Sequence, residues 1–164
     1  MHSRDFMDLG RLMDHIFQAT EEFSNQFGRF AYDARKMAEH RNFYSVYPFP
    51  PANIFMSHDK TLVFEFALAG YSDKDVTLEF QGDYMVLKAT SPVTAVDEDD
   101  VIFFNRRLKF KELDGQKYFV PEDKFDREQS RAAFKNGILK VSIPAREEVQ
   151  EPTGVKIDIV NEDE

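Results

Sequence analysis

Residues 131–144, which read RAAFKNGILKVSIP, combine a tight turn with a strand. Every second residue from Leu139 to Ile143 is apolar, which is the period expected of a strand with one buried face. The pair Asn136-Gly137 favours a turn, because both residue types tolerate a positive φ at low cost. Pro144 ends the strand, since it has no backbone N–H to donate. The segment therefore predicts a β-hairpin whose second strand stops at Pro144.

The same segment contains a spaced signature. It resembles the A-x-x-x-N-G-I/V-L sequence of the small heat-shock protein (α-crystallin) family through Ala132, Asn136, Gly137, Ile138 and Leu139. Further stretches resemble that family in the same order along the chain: PPANI at 50–54, LAGYSDKDV at 68–76 and KYFVPEDKFD at 117–126. The resemblance implies an all-β fold, the α-crystallin domain, which is an immunoglobulin-like β-sandwich with a helical N-terminal arm and an extended C-terminal tail.

Composition limits the classes of function. The net charge is -9, and no basic stripe is present, which argues against a nucleic acid or an acidic membrane as partner. The absence of cysteine excludes disulfides, thiolate nucleophiles and cysteine metal sites. The four histidines lie far apart, and the acidic run DEDD at 97–100 lacks the ligand spacing and glycine of a calcium loop. No nucleotide-binding or nucleophile motif is present. We therefore expect no catalytic residues, no cofactor and no metal, so the protein is predicted not to be an enzyme.

The first 47 residues differ from the rest of the chain. Their apolar residues recur at steps of three and four, the period of an amphipathic helix; they include Phe6, Leu9, Met13, Ile16, Phe17, Phe23 and Phe27. Acidic residues interrupt this segment, so it predicts neither a signal peptide nor a transmembrane helix, and we expect a cytoplasmic protein. One interpretation is a helix packed on the core of its own chain. The other, which the resemblance favours, is an arm that contacts other subunits and unfolding client proteins.

The Pro-rich sequence YPFPP at 47–51 predicts the start of the folded domain. Alternation then predicts strands at 62–69 and 76–81, and the turn at 82–83 predicts that the chain returns as a strand at 84–90. Asp114-Gly115 predicts a further hairpin turn.

Residues 101–110 (VIFFNRRLKF) form another β-prone segment. An exposed strand of this composition would aggregate unless it were paired. The resemblance implies that this strand crosses to the sheet of a neighbouring subunit, with the dimer contact at Val101, Ile102, Phe103 and Phe104. A hairpin inside the domain is the alternative. Lys117 stands where the family has an arginine, which puts a bidentate carboxylate pairing at that interface in doubt.

The C-terminal residues 146–164 begin as a polar tether and then alternate as VKIDIV. Ile157 and Ile159 point to the same side of this strand. A frayed terminal strand of the same domain is one interpretation. The resemblance implies instead an I-x-I tail that fills a groove at the sheet edge of another subunit, a form of strand addition. We expect the strands at 84–90 and 138–143 to line that groove.

The sequence therefore predicts three parts: an arm (1–47), an α-crystallin domain (48–145) and a tail (146–164). The resemblance implies dimers that assemble into a large homo-oligomer. It also implies an ATP-independent holdase chaperone, which binds partly unfolded clients and passes them to nucleotide-dependent chaperones. The alternatives are a CS-type co-chaperone module of related sandwich fold and a hydrolase or ligand-binding β-barrel.

Overall fold

The computed structural model describes residues 9–11, 13–14, 17, 44, 47–92 and 96–147. The predicted tail residues Ile157 and Ile159 lie outside the described residues, as do Phe6, Ile16, Phe23 and Phe27 of the arm. The described arm residues 9–11, 13–14 and 17 have helical backbone. The strands are β1 (Ala52–Met56), β2 (Leu62–Ala67), β3 (Val76–Gln81), β4 (Tyr84–Ala89), β5 (Leu113–Phe119), β6 (Arg131–Lys135) and β7 (Ile138–Ile143). Short 3-10 helices span Asp73–Asp75 and Glu98–Asp100.

The strands form two antiparallel sheets. One sheet has the order β1-β2-β7-β6 and the other has the order β3-β4-β5. Their inner faces pack together as a sandwich, which confirms the predicted all-β fold class. Sequence neighbours mostly pair with each other, but β2 and β7 meet from distant parts of the chain.

The core follows from the alternation in the strands. Phe64 and Phe66 of β2 are fully buried, and so are the inward side chains of β4 and β7. The ring of Tyr118 on β5 lies across from them, with centroid distances of 5.6 Å to Phe64 and 5.1 Å to Phe66. Burial of side chains of this size contributes about 1.5–3 kcal/mol each, so this aromatic group is a main source of cohesion between the sheets.

The predicted hairpin is confirmed. β6 and β7 pair in register up to Lys135 and Ile138, and the turn residues Asn136 and Gly137 have φ values of 53° and 76°. The turn also contacts the end of β2, because the Leu68 N–H donates to the Gly137 carbonyl at 2.8 Å. The hairpin is thereby attached to the neighbouring strand at its tip as well as along its length.

The predicted turn at Asp114-Gly115 is wrong. Both residues lie within β5, where Leu87 pairs with Gln116 but Lys88 pairs with Asp114. Gly115 is the extra residue of a β-bulge and has a φ of +108°. A tight hairpin turn of the Asp-Gly type and a bulge like that at Gly115 both place glycine at positive φ, so the same dipeptide suits either structure. Among the described residues between β4 and β5 there is no strand, so the alternative of a hairpin inside the domain is not found.

Candidate functional site

Large exposed apolar side chains concentrate between residues 101 and 108. Ile102 is 85% exposed and Phe104 is fully exposed; Val101, Phe103 and Leu108 are also exposed. The backbone of this segment belongs to neither sheet. The Arg106 guanidinium lies 4.6 Å from the centroid of the Phe103 ring and forms an ion pair with Glu98. An unpaired apolar segment of this kind is suited to pairing with a partner chain.

The exposed segment is anchored at its C-terminal end. The Tyr71 hydroxyl accepts a hydrogen bond from the Lys111 N–H at 2.7 Å and donates to the Lys111 carbonyl. The Phe110 ring packs edge-on against Tyr71 at 6.0 Å and lies directly over Gly70, whose φ is +89°. The chain is therefore held firmly at residues 110–111, while residues 101–108 project from the domain.

The expected location of the tail groove is wrong in one respect. The strands at 84–90 and 138–143 correspond to β4 and β7, which have strands on both sides and cannot accept another. The outermost strands on this side of the two sheets are β3 and β6. The position of a strand within a sheet depends on the tertiary order of strands, which its own alternation does not encode.

The two edge strands β3 and β6 are bridged at one end. There Arg127, just before β6, donates to the Gly82 carbonyl after β3, and its guanidinium lies 5.0 Å from the centroid of the Phe80 ring. Half-buried apolar side chains lie on both strands: Val76, Leu78 and Phe80 on β3 and Phe134 on β6. The edge between the sheets is thus a candidate site for an apolar extended segment.

The outer edge of β5 is covered by side chains from the segment before β1. The Tyr47 hydroxyl accepts from the Lys117 N–H at 3.0 Å and donates to the Lys117 carbonyl at 3.3 Å. The Tyr44 hydroxyl donates to the Phe119 carbonyl at 2.9 Å. Burial raises the pKa of the Tyr44 and Tyr118 phenols far above the ordinary value, so both remain protonated donors. Lys117 enters these contacts through its backbone, and its side chain is exposed.

Part of the arm packs on the sandwich of its own chain. Leu9 and Met13 are only 3% and 2% exposed and belong to the main core. Phe17 is half-buried and packs edge-on against Phe125 at 5.4 Å. The spacing of four residues places these three side chains on one helix face. The first interpretation of the arm, a helix on its own core, therefore holds for the residues described, and a role toward clients stays a prediction.

An ion pair holds the same helix to the domain. The Asp14 carboxylate lies 2.7 Å from the Lys124 Nζ and raises the pKa of Lys124. The Lys124 side chain is mostly buried, whereas that of Asp14 is half exposed. A pair this exposed contributes only up to about 1 kcal/mol. Apolar burial therefore accounts for most of the free energy that attaches the helix, and the ion pair adds a small part of it.

A sequence model described as the Hsp20/alpha crystallin family matches residues 54–160. The chain belongs to this family. The domain resembles the solved structure of hspA from Xanthomonas axonopodis, with 16% identity, coverage of 59% of this chain and 93% of that chain, and a TM-score of 0.51. It also resembles a small heat-shock protein from Xylella fastidiosa, with 18% identity, coverage of 68% and 96%, and a TM-score of 0.51. At these identities the likeness concerns the fold alone. A search of curated proteins found no match.

Membership of the Hsp20/alpha crystallin family gives the chain a chaperone role, and the family is not enzymatic. Among the residues that the structure describes, no group of acidic or histidine side chains is arranged to hold a metal ion. Within that same part of the chain, no helix is long and apolar enough to cross a membrane. The candidate functional surfaces are the exposed segment, the sheet edges and the docked arm.

We expect Asp14→Asn to loosen the docked helix without unfolding the sandwich. Loss of an ion pair worth about 0.5–1 kcal/mol would raise the undocked population about two- to fivefold. Trypsin cleavage after the exposed Arg11, followed by mass spectrometry, should accelerate by that factor.

Asp123→Asn is the matched control. Asp123 also contacts the Lys124 Nζ, at 3.2 Å, but it belongs to the domain and not to the arm. This variant should cleave at the wild-type rate. Equal cleavage of the two variants would show that the Asp14 pair does not hold the arm.

Proposed function

We propose that this chaperone is an ATP-independent holdase that captures partly unfolded proteins on apolar surface and keeps them from aggregating. The observation that carries the proposal is the way the arm is attached. One helix face with Leu9, Met13 and Phe17 packs on the sandwich through side chains, with a single described ion pair between helix and domain. Surface attached in this way can be uncovered without unfolding either sheet.

The capture step follows from that attachment. Heat or another stress detaches the helix and exposes its apolar face together with the Phe125 ring it covers. An unfolding client presents apolar side chains of its own, and each one buried on this surface contributes about 1.5–3 kcal/mol. Burial of this kind needs no nucleotide. Release of the client then falls to nucleotide-dependent chaperones acting downstream.

Assembly uses the remaining surfaces. The segment from Val101 to Phe104 pairs with the outer edge of β1 in a second subunit. β1 is available because it has a neighbouring strand on only one side. This pairing gives the dimer. Ile157 and Ile159 of the tail enter the apolar edge between β3 and β6 of another subunit. Each contact is weak, but many such contacts in one assembly reinforce each other through effective concentration. The product is a large homo-oligomer of dimers.

The holdase activity is tested by light scattering of a thermolabile enzyme heated with the full chain and no nucleotide. We expect the wild-type protein to suppress the scattering when its subunit concentration is about equal to that of the enzyme. The variant Leu9→Ser with Met13→Ser should lose most of this effect, because it lacks two of the capturing side chains. Ile138→Ser, which changes an exposed apolar residue of the β6–β7 hairpin, is the control. A wild-type chain that leaves the scattering unchanged would overturn the proposal.

The dimer contact is tested with Ile102→Ser combined with Phe104→Ser. Two apolar side chains buried at an interface contribute about 3–6 kcal/mol, so the dimer dissociation constant should rise by at least about a hundredfold. Val96→Ser changes another exposed apolar residue of the same loop and should leave dimerisation intact. Mass measurement by light scattering at several concentrations gives the constants. A dimer of unchanged stability would contradict the strand exchange, and a monomeric wild type would favour the co-chaperone alternative.

The tail contact is tested with Ile157→Ala combined with Ile159→Ala. This variant should form dimers but not the larger assembly, because the paired side chains no longer fill the edge of another subunit. Val160→Ala is the control, since in an extended segment residue 160 would face the side opposite to Ile157 and Ile159. Native mass spectrometry distinguishes the two states. An assembly of wild-type mass in the double variant would exclude the tail as its link.

A further inference from the structure

Tyr44 and residues 47–49, which precede β1, lie along the outer edge of β5 in reversed order. Tyr44 contacts Phe119, Tyr47 contacts Lys117, and the Gln116 side chain donates to the Phe49 carbonyl at 2.6 Å. Tyr44 together with residues 47–49 is called here the tyrosine strap. It runs antiparallel to β5, as a neighbouring strand would.

The strap nevertheless is not a strand. Its bonds to Lys117 and Phe119 come from tyrosine hydroxyls, and no backbone-to-backbone hydrogen bond joins the described strap residues to β5. The groups it occupies are the outward N–H and C=O of Lys117 and the outward C=O of Phe119. Those are the groups with which an added strand would pair. The strap thus covers the edge and offers no new edge of its own in the residues described.

The rings of the strap are held by the core. Tyr44 packs edge-on against Phe64 at 5.8 Å, and Tyr47 packs against Tyr118 at 5.5 Å. Phe49 lies 6.1 Å from Tyr71. Ring packing therefore positions the strap, while the two hydroxyl groups form hydrogen bonds with the outward backbone groups of β5. The two roles are separable by substitution.

The outer edge of β5 is suited to pairing with the same edge in a second copy of the chain. The bulge at Gly115 brings Asp114 and Lys117 to the same exposed face, whereas Leu113 and Tyr118 face the core. When two β5 strands pair antiparallel about a two-fold axis, Lys117 of one copy can lie opposite Asp114 of the other. An uncovered β5 would therefore attract a second copy of this chain.

We propose that the tyrosine strap is an edge guard, in which the Tyr44 and Tyr47 hydroxyls close β5 against strand addition by a second copy of this chain. Lifting the strap converts β5 into a pairing edge. The guard leaves the outer edge of β1 as the pairing edge for the subunit partner. It does not depend on client binding, so its test and the test of the holdase are independent.

The test begins with Tyr44→Phe combined with Tyr47→Phe. This variant keeps the rings and removes the hydroxyls, so the sandwich should fold, as judged by circular dichroism. Hydrogen exchange followed by NMR should show the Lys117 amide exchanging about tenfold faster than in the wild type. The Tyr118 amide faces β4 and should be unchanged. Tyr84→Phe, which removes a hydroxyl from β4, should leave Lys117 at the wild-type rate.

The second readout is self-association in the background of Ile102→Ser with Phe104→Ser, which disables the other proposed dimer contact. The double tyrosine variant should associate at least about tenfold more tightly than this background. Lys117→Glu should abolish the gain, because it places like charges opposite each other.

An unchanged Lys117 exchange rate would overturn the proposal, and so would faster exchange with no gain in association or a gain that Lys117→Glu leaves intact. If the double tyrosine variant is unstable, Tyr47→Phe alone carries both measurements, because the Tyr47 hydroxyl accepts from the Lys117 amide. Tyr44→Phe alone then carries only the association measurement, because the Tyr44 hydroxyl bonds the Phe119 carbonyl.

Discussion

A sandwich of two short sheets has outer strands whose outward backbone groups require partners, and this requirement shapes the whole molecule. In the described structure these strands are β1, β6, β3 and β5. Their solutions differ. Side chains cover β5, apolar residues line the edge between β3 and β6, and no described strand pairs with the outer edge of β1. A protein that must assemble and yet stay dispersed needs edges that differ in this way, because identical open edges would pair without limit.

The two sheets and the segments attached to them are held by different kinds of contact. The sheets combine continuous backbone ladders with fully buried rings such as Phe64 and Phe66, so they open only at the cost of global unfolding. The helix that contains Leu9 and the strap that contains Tyr47 are joined to the sheets by side chains. Segments held by side-chain contacts can separate at lower free energy than the ladders. A single chain therefore combines two stable sheets with a helix and a strap that can separate from them at lower free energy.

Much of the fold could be predicted from local sequence. The hairpin at Asn136-Gly137 and the strands β2, β3, β4 and β7 are visible because alternation and turn chemistry are short-range properties. The bulge at Gly115 was not distinguishable from a turn, since both use a residue with positive φ.

The candidate surfaces were harder to predict, for physical reasons. Which strands lie at an edge depends on how the sheets are ordered, and the clear alternation of β3 does not by itself mark it as an edge strand. The contacts of Tyr44 and Tyr47 span 75 and 70 residues and follow no periodic pattern. The helical period around Met13 predicted an apolar face but not its partner. Sequence alone marks which residues are apolar, whereas the structure determines what they cover.

One glycine has a wider consequence. At Gly70 the backbone has a φ of +89° and the Phe110 ring occupies the space where a β-carbon would be. Any side chain at residue 70 would displace that ring. Residues 110–111, which anchor the exposed segment 101–108, would move with it. The placement of the exposed segment 101–108 therefore depends in part on a glycine that lies outside it.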